Sequence, residues 1–221
     1  MELSGTLFSP VLRWWAWVAC ALVLLAALRM APWRRLRDSA RLHAYMATCI
    51  GLLVLWTLRT EVVHGLTFHL LGITTLTLMV GWSLAVLGAS VVLAATVLGG
   101  TGDASGYPVS LLTVAVVPAA LTQVLLVVVR GVFPRHFFVY VFVNAFLTAG
   151  LAALAGGCIA VVLLTLGGPY AFAELDQQVV PFFPLMFFPE AILNGWIITL
   201  MVALRPRWVW SFSDEEYLEG K

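Results

Sequence analysis

The sequence predicts an all-α, polytopic membrane protein of about seven transmembrane helices arranged as a single transmembrane domain. Of its 221 residues, 62% are hydrophobic and 10% are charged, and the mean hydropathy is +1.01. A soluble domain is closer to half apolar and a quarter charged, so this composition indicates an integral membrane protein. At ~20 apolar residues per helical span, seven spans use most of the chain.

The predicted spans follow the apolar runs in chain order. The third and fourth spans come from one apolar run over residues 69–99, divided at Gly81. That run is too long for one crossing of a ~30 Å hydrocarbon core at ~1.5 Å per residue. The predicted spans are residues 11–30, 42–58, 69–80, 82–99, 109–129, 137–166 and 181–204.

The basic residues predict the orientation. With seven spans and an outside N-terminus, ten of the 12 lysine and arginine residues fall on the cytoplasmic side, and only Arg13 and Arg59 fall outside. Cytoplasmic loops of membrane proteins carry such an excess of positive charge. We therefore expect a multi-pass protein of the plasma (inner) membrane with a cytoplasmic C-terminus. The ten residues are Arg29, Arg34, Arg35, Arg37, Arg41, Arg130, Arg135, Arg205, Arg207 and Lys221.

Residues 61–72 bring Glu61, His64 and His69 to the edge of an apolar segment. Ionisable residues near the hydrocarbon are costly, so they are candidates for function. The two histidines are five positions apart and would not share a helix face at ~100° per residue. With Gly65 between them, we expect a loop carrying Glu61 and His64, followed by a helix whose first turns carry His69. This arrangement predicts a small polar or metal-binding pocket near one membrane face.

Enzymes and nucleic-acid-binding proteins are not indicated by this sequence. It has no Gly-x-Ser-x-Gly, no phosphate-binding glycine loop and no His-Glu-x-x-His. With a net charge of +1 it also has no basic patch with interleaved aromatic residues. The expected surroundings are membrane lipid. Its three cysteines lie in apolar runs and are expected to be packing residues: Cys20, Cys49 and Cys158.

Several segments carry a resemblance to one family. Residues 1–10 read Met-Glu-Leu-Ser-Gly-Thr-Leu-Phe-Ser-Pro, residues 67–72 read Thr-Phe-His-Leu-Leu-Gly, and Gly81-Trp82 follow. The last span has Pro189-Glu190 near its start and Arg205-Pro206 at its end. These segments resemble the substrate-capture membrane subunit of cobalt and nickel energy-coupling factor (ECF) transporters. Members begin Met-His-Ile-x-(Asp/Glu)-Gly-(Phe/Tyr)-Leu-Ser-Pro, then carry Ser-Gly-His-Leu-(Leu/Val/Ile)-Gly and Gly-Pro-Trp, and end in a helix with an acidic residue and a closing Arg-Pro.

The resemblance implies a metal substrate and a set of ligands. In the family, the N-terminal amine, the backbone nitrogen and imidazole of a second-position histidine, and a third-span histidine form a square-planar site for Ni²⁺ or Co²⁺. This chain keeps the N-terminus at Met1 and the matching His69, but position 2 is Glu2. Square-planar nitrogen sites favour Ni²⁺ or Cu²⁺, so a carboxylate shifts the preference toward harder or less geometry-demanding ions. The expected substrate is a divalent transition metal, either cobalt, nickel, zinc or copper.

Each candidate ligand has an alternative role. His69 is the expected ligand, or a histidine hydrogen-bonded to a backbone carbonyl. His64 would supply the imidazole missing at position 2, or be solvated. Glu2 and Glu61 would complete a mixed nitrogen and oxygen site, or Glu61 would pair with Arg59.

Glu190 lies inside the last span, with Asn194 four residues on and therefore on the same helix face. A buried carboxyl group needs polar partners, which Asn194, Asn144 or Gln123 would provide. A structural polar cluster is favoured over a role in translocation. Three acids in predicted outer loops are expected to be solvated: Asp103, Glu174 and Asp176.

The sequence therefore predicts divalent-cation capture by the substrate-binding component of an ECF-type transporter. Hydrolysis of ATP would occur on separate ATPase subunits joined through a transmembrane scaffold subunit, since this chain has no nucleotide-binding motif. The missing second-position histidine favours an alternative, in which a protein of the same fold no longer transports and serves as a metal-handling or assembly factor.

Overall fold

The computed structural model describes residues 2–218 and shows a bundle of apolar helices with one small sheet. Within these residues, five helices are long and apolar enough to cross a membrane, and a further apolar helix, Trp82–Leu98, is shorter. The prediction of a helical, polytopic membrane fold is confirmed at this level. The five long helices are Pro10–Met30, Ser39–Thr57, Tyr107–Val132, Phe137–Gly167 and Phe172–Leu204.

Two of the long helices contain wide π-helical turns, and a third contains a short break. One π-helical segment is Leu112–Val116 and the other is Tyr140–Leu147. The α-helices are α1 (Pro10–Met30), α2 (Ser39–Thr57), α3 (Ile73–Val80), α4 (Trp82–Leu98), α5 (Tyr107–Leu111), α6 (Val117–Val132), α7 (Phe137–Val139), α8 (Thr148–Gly167), α9 (Phe172–Gln178), α10 (Phe183–Leu204) and α11 (Asp214–Tyr217).

The all-α prediction missed a three-stranded antiparallel sheet, seen among the described residues at one end of the bundle. Its strands are β1 (Glu2–Leu3), β2 (Arg59–Val63) and β3 (Leu66–His69), in the order β1-β3-β2.

This sheet corrects the reading of residues 61–72. The link between β2 and β3 is a two-residue turn, His64-Gly65, in which Gly65 has φ 78°, a left-handed conformation that glycine adopts readily. The expected loop at Glu61 is therefore wrong, because Glu61 lies in β2. The helix predicted over residues 69–80 begins only at Ile73, and His69 ends a strand.

The sheet has one apolar and one polar face because side chains alternate along each strand, and a register shift between Glu61 and Val63 places Val63 on the apolar face. Strand pairing sets Glu2, Thr67 and Glu61 opposite one another in one row, with His69 opposite Arg59 in the next row. The polar face thus gathers two acids, a histidine and an arginine. The apolar face is buried in the bundle through Leu3, Val63, Leu66 and Phe68.

Helix α3 is too short to cross a membrane alone. Its eight residues are all buried, and at ~1.5 Å per residue it is about 12 Å long. It stops at Gly81, which has φ 82° and ψ 166°, a backbone region that is essentially restricted to glycine. Helix α4 starts at the next residue, so the predicted division at Gly81 is confirmed.

The beginning of α3 is fixed by α10. Glu190 Oε2 accepts a hydrogen bond from Leu71 N at 2.8 Å, and Oε1 accepts one from Gly72 N at 2.6 Å. Asn194 donates to Glu190 Oε1 at 2.8 Å. The side-chain oxygen of Asn194 accepts from the backbone N of Thr75 at 2.8 Å and from its hydroxyl at 2.7 Å.

This arrangement is the structural polar cluster expected for Glu190, although its partners differ in part from those expected. Asn194 takes part, whereas Asn144 and Gln123 make no hydrogen bond to Glu190 in the described structure. The principal partners are instead backbone N–H groups at the start of a helix, where four such groups lack intrahelical acceptors.

The end of α3 is covered by the chain that follows α10. Trp210 N donates to Met79 O at 2.9 Å, and the Ser211 hydroxyl donates to Leu78 O at 2.7 Å. Tyr140 OH lies 2.6 Å from Ser211 Oγ and secures it. The carbonyl groups of Leu78 and Met79, near the end of α3, are therefore satisfied although the helix ends inside the bundle.

Replacing Gly81 with alanine should destabilise the protein through backbone strain alone. In the described chain, a Cβ at this position would meet no atom within 4 Å, so the loss of about 1–3 kcal/mol would come from the positive φ. Gly51→Ala in α2 is the matched control, because its Cβ also meets open space while its helical backbone favours alanine. Thermal unfolding in detergent should show a lower midpoint for Gly81→Ala only, and equal midpoints would contradict the account.

Glu190→Ala should destabilise the protein by at least about 2 kcal/mol, since two buried N–H groups lose their acceptor. Chemical unfolding in detergent measures this loss. Asp176→Ala removes an exposed acid of similar charge and should leave the free energy of unfolding unchanged. If the two variants unfold alike, Glu190 does not support the segment before α3.

Candidate functional site

His69 is buried at the end of β3, with its ring against Trp56 at a centroid distance of 5.2 Å. Its Nδ1 lies 3.0 Å from the carbonyl oxygen of Leu70. A carbonyl only accepts, so Nδ1 carries the proton, and in the neutral ring Nε2 presents a lone pair. Burial, with a smaller contribution from Arg59, lowers the pKa of His69 well below its usual 6.5. At neutral pH His69 is therefore an uncharged imidazole.

Glu2 lies beside it on β1. Arg59 Nη1 donates to Glu2 Oε2 at 2.7 Å, and the two side chains are only 16% and 10% exposed. Burial raises the pKa of Glu2 above 4.5, while the charge and hydrogen bond of Arg59 act in the opposite direction and favour the carboxylate. Arg59 thus binds one oxygen of Glu2 and leaves the other available.

The available atoms of His69 and Glu2 face each other. His69 Nε2 and Glu2 Oε1 are 3.8 Å apart, and within residues 2–218 neither atom has a hydrogen-bond partner. Two buried acceptors without a donor are unfavourable by about 1–3 kcal/mol each. Bonds from a transition metal to imidazole nitrogen and carboxylate oxygen are each ~2.0–2.2 Å, so one ion would bridge this gap at a bent angle.

The two side chains do not make a complete coordination shell. In the described part of the chain, no group of three or more His, Cys, Asp or Glu side chains is placed to hold a metal ion. Transition metals in proteins take four to six donors, so further donors would be backbone atoms, solvent or the N-terminal amine. Met1, the other predicted ligand, lies outside the described residues.

Glu61 and His64 form a separate, outer pair. Glu61 Oε1 accepts a hydrogen bond from Gly65 N at 2.7 Å and lies 3.7 Å from His64 Nδ1, with the two side chains 56% and 86% exposed. The structure does not bring them to His69. Glu61 also does not pair with Arg59, which binds Glu2 instead.

Arg59 and Trp56 are the neighbours of the site that were not anticipated. Arg59 had one sequence signal, since it is one of two basic residues expected on the outer side. Trp56 had none, because it lies in an apolar run with other large residues. Its indole N–H donates to Leu71 O at 3.0 Å, so Trp56 both packs on His69 and secures the residues that follow it.

Comparison with solved structures shows the same fold elsewhere. A truncated transition metal transporter superposes with a TM-score of 0.78 at 14% identity, covering 92% of this chain and 99% of that chain. A second transition metal transporter gives a TM-score of 0.79 at 14% identity, covering 92% and 93%. No curated protein matches the sequence significantly.

Comparison with known families gives a match over nearly the whole chain. The sequence profile of the CbiM family, described as the cobalt uptake substrate-specific transmembrane region, matches residues 3–208. The match includes β1 apart from Glu2, the whole of β2 and β3, and every long helix. The resemblance inferred from the sequence motifs is confirmed, and this chain is a multi-pass membrane protein that belongs to the CbiM family.

Proposed function

We propose that this chain captures a divalent transition-metal ion between His69 and Glu2, as the substrate-binding membrane component of an ECF-type uptake system. The observation that carries the proposal is the pair of buried acceptor atoms 3.8 Å apart, neither of which has a hydrogen-bond partner within residues 2–218. Membership of a cobalt uptake family supports a metal substrate, as does the shared fold of two transition metal transporters.

The groups behind the two ligands support this role. Metal-binding histidines usually donate their other ring N–H to a carbonyl or carboxylate, and ligating carboxylates are themselves hydrogen-bonded. His69 donates to Leu70 O, and Glu2 accepts from Arg59. Each side chain is thus held in place with one atom available to bind a metal ion. By the resemblance, the Met1 amine would be a third donor.

Cobalt is the substrate that the family description favours. A Glu2 carboxylate in place of an imidazole weakens the preference for ions that favour square-planar sites, such as Ni²⁺ and Cu²⁺. We therefore expect Co²⁺ and Zn²⁺ to bind more tightly relative to these two ions than they would at an all-nitrogen site. Comparison of all four ions with the purified protein would rank them.

The proposed topology has seven spans, with the sheet outside and the C-terminus in the cytoplasm. Helix α4 is one of these spans, and α3 forms another together with the non-helical residues 70–72 that precede it. The bias of basic residues supports it. Glu190 lies seven residues into α10, about 10 Å along its axis, so the site would lie below the outer end of the bundle. The ATPase and scaffold subunits would bind at the cytoplasmic end.

One observation favours a second function, a membrane metal-handling or assembly factor that does not transport. The Arg59 guanidinium bonded to Glu2 places a positive charge beside the proposed metal ion. Repulsion between this charge and the metal cation weakens metal binding. A site of modest affinity suits transient metal transfer to another membrane complex. Uptake of labelled metal by cells that express this chain with ATPase and scaffold subunits would separate the two functions.

Removal of the His69 imidazole should abolish high-affinity binding of the metal ion. His69→Ala is expected to raise the Kd for Co²⁺ at least about 100-fold, since loss of even an outer partner of a ligand has effects of 10–100-fold. Glu2→Gln should weaken binding as well. Isothermal titration calorimetry measures these changes on protein with an untagged N-terminus.

The matched control for the His69 imidazole is His64→Ala, because the His64 side chain is 86% exposed and lies beside Glu61. Its Kd should equal that of the wild type. Binding that is unchanged in His69→Ala, or lost equally in His64→Ala, would refute the proposed site.

The orientation predicts which cysteines react from outside the cell. In a background with the native cysteines replaced by alanine, His64→Cys should react with a membrane-impermeant maleimide in intact cells. Arg37→Cys, exposed at the opposite end, should react only after permeabilisation. The reverse pattern would place the sheet in the cytoplasm.

A further inference from the structure

Strand β1 is held on two sides. On one side it pairs with β3, through Glu2 with Thr67 and Leu3 with Leu66. A two-residue strand contributes little pairing of its own, and isolated pairs of strands are marginally stable. The position of Glu2 therefore depends on what holds the other side of β1.

The other side is held by the loop of residues 99–106, between α4 and α5. Asp103 Oδ2 accepts hydrogen bonds from the Ser4 hydroxyl at 2.6 Å and from Gly5 N at 2.9 Å. Asp103 is exposed to solvent, as predicted, but its carboxylate also binds the residues that follow β1. Burial acts to raise the pKa of Asp103, yet hydrogen bonds from Ser4, Ser105 and Gly5 lower it below 3.8, consistent with a fixed carboxylate.

The two segments also touch through their backbones. A Cβ at Gly5 would lie 2.2 Å from Ser105 O, and a Cβ at Gly106 would lie 2.0 Å from Leu3 O. No side chain fits at either crossing. Ser110, at the start of α5, accepts from Leu3 N at 2.9 Å and donates to Leu3 O at 3.2 Å. At this edge of β1, Ser110 of α5 thus satisfies the backbone groups of Leu3, and the loop binds Ser4 and Gly5, which follow β1.

We infer that Asp103 is a positioning residue for metal capture: its hydrogen bonds to Ser4 and Gly5 set the place of β1, and hence the distance of Glu2 Oε1 from His69 Nε2. This inference rests on the proposed function for the ligand role of Glu2. Ligands must be held within about 0.5 Å of a productive geometry, and the gap of 3.8 Å is already near the most that one ion bridges.

The substitution Asp103→Asn tests the positioning role while keeping the fold of the loop of residues 99–106. Asparagine keeps the oxygen that accepts from Ser105 N at 2.8 Å within the loop, and asparagine is well suited to such turns. Its amide NH₂ replaces the oxygen facing Gly5 N, so that hydrogen bond is lost. Asp176→Asn is the matched control, since it removes the same charge from an exposed residue beyond α8.

The placement of β1 is measured without metal, by hydrogen–deuterium exchange of the peptide covering residues 2–8. Its backbone amides should exchange about tenfold faster in Asp103→Asn, as expected for loss of one hydrogen bond to a charged group. Exchange in α6 and α8 should match the wild type, which shows that the bundle is folded. Asp176→Asn should match the wild type throughout.

The effect on the site is measured with Co²⁺ by calorimetry and by the visible ligand-field spectrum of the saturated protein. Asp103→Asn should raise the Kd about tenfold and alter the spectrum, because the coordination geometry changes. Unchanged affinity and spectrum would overturn the inference. So would a weaker affinity without faster exchange at residues 2–8, because Asp103 would then act by another route.

Failure of the inference is distinguishable from failure of the proposed function. If the wild-type protein binds none of Co²⁺, Ni²⁺, Zn²⁺ and Cu²⁺, the proposed function is refuted, and the positioning role with it. If the wild type binds Co²⁺ and loses it in His69→Ala, but Asp103→Asn binds normally, only the positioning role is refuted.

Discussion

The hydrogen bonds that Glu190 accepts from Leu71 and Gly72 allow non-helical backbone to exist inside a helical membrane bundle. Lipid offers no partner for a free N–H or C=O, so irregular backbone at that depth must be satisfied by protein. Glu190 supplies the acceptors, and the Trp56 indole supplies a donor for the Leu71 carbonyl. Because His69 directly precedes this segment, the placement of its imidazole follows from a carboxyl group on a different helix.

The electrostatics of the proposed site depend on the buried carboxyl group of Glu2. A buried carboxylate needs compensation, and Arg59 provides it at 2.7 Å while occupying only one oxygen. The proton on His69 Nδ1 is fixed by the Leu70 carbonyl, so the ring presents a lone pair to the remaining oxygen. Glu2 and Arg59 therefore act together, and the carboxylate at position 2 has its own counter-charge.

Local patterns in the sequence were enough to predict the helical class, the division at Gly81, the pairing of Glu190 with Asn194 at helical spacing, and His69 as a candidate ligand. The second strand of the hairpin was also visible in principle, since Leu66 and Phe68 alternate with Thr67 and His69 after Gly65, but the high apolar content favoured a helix. Strand β1 was not predictable, because two residues show no period. The pairs Arg59 with Glu2 and Ser4 with Asp103 span 57 and 99 positions, beyond any local signal.

The contacts of α3 with α10 have a mechanical consequence. One proposed ligand, His69, is fixed to the last span through Glu190, whereas the other, Glu2, is fixed to the junction of α4 and α5 through Asp103 and Ser110. The two halves of the site are therefore mounted on different parts of the bundle. Sliding of one part past the other by about 1 Å would separate the two donors beyond the span of a single ion. Ion release would then require shear between packed helices, without rotation of either ligand side chain.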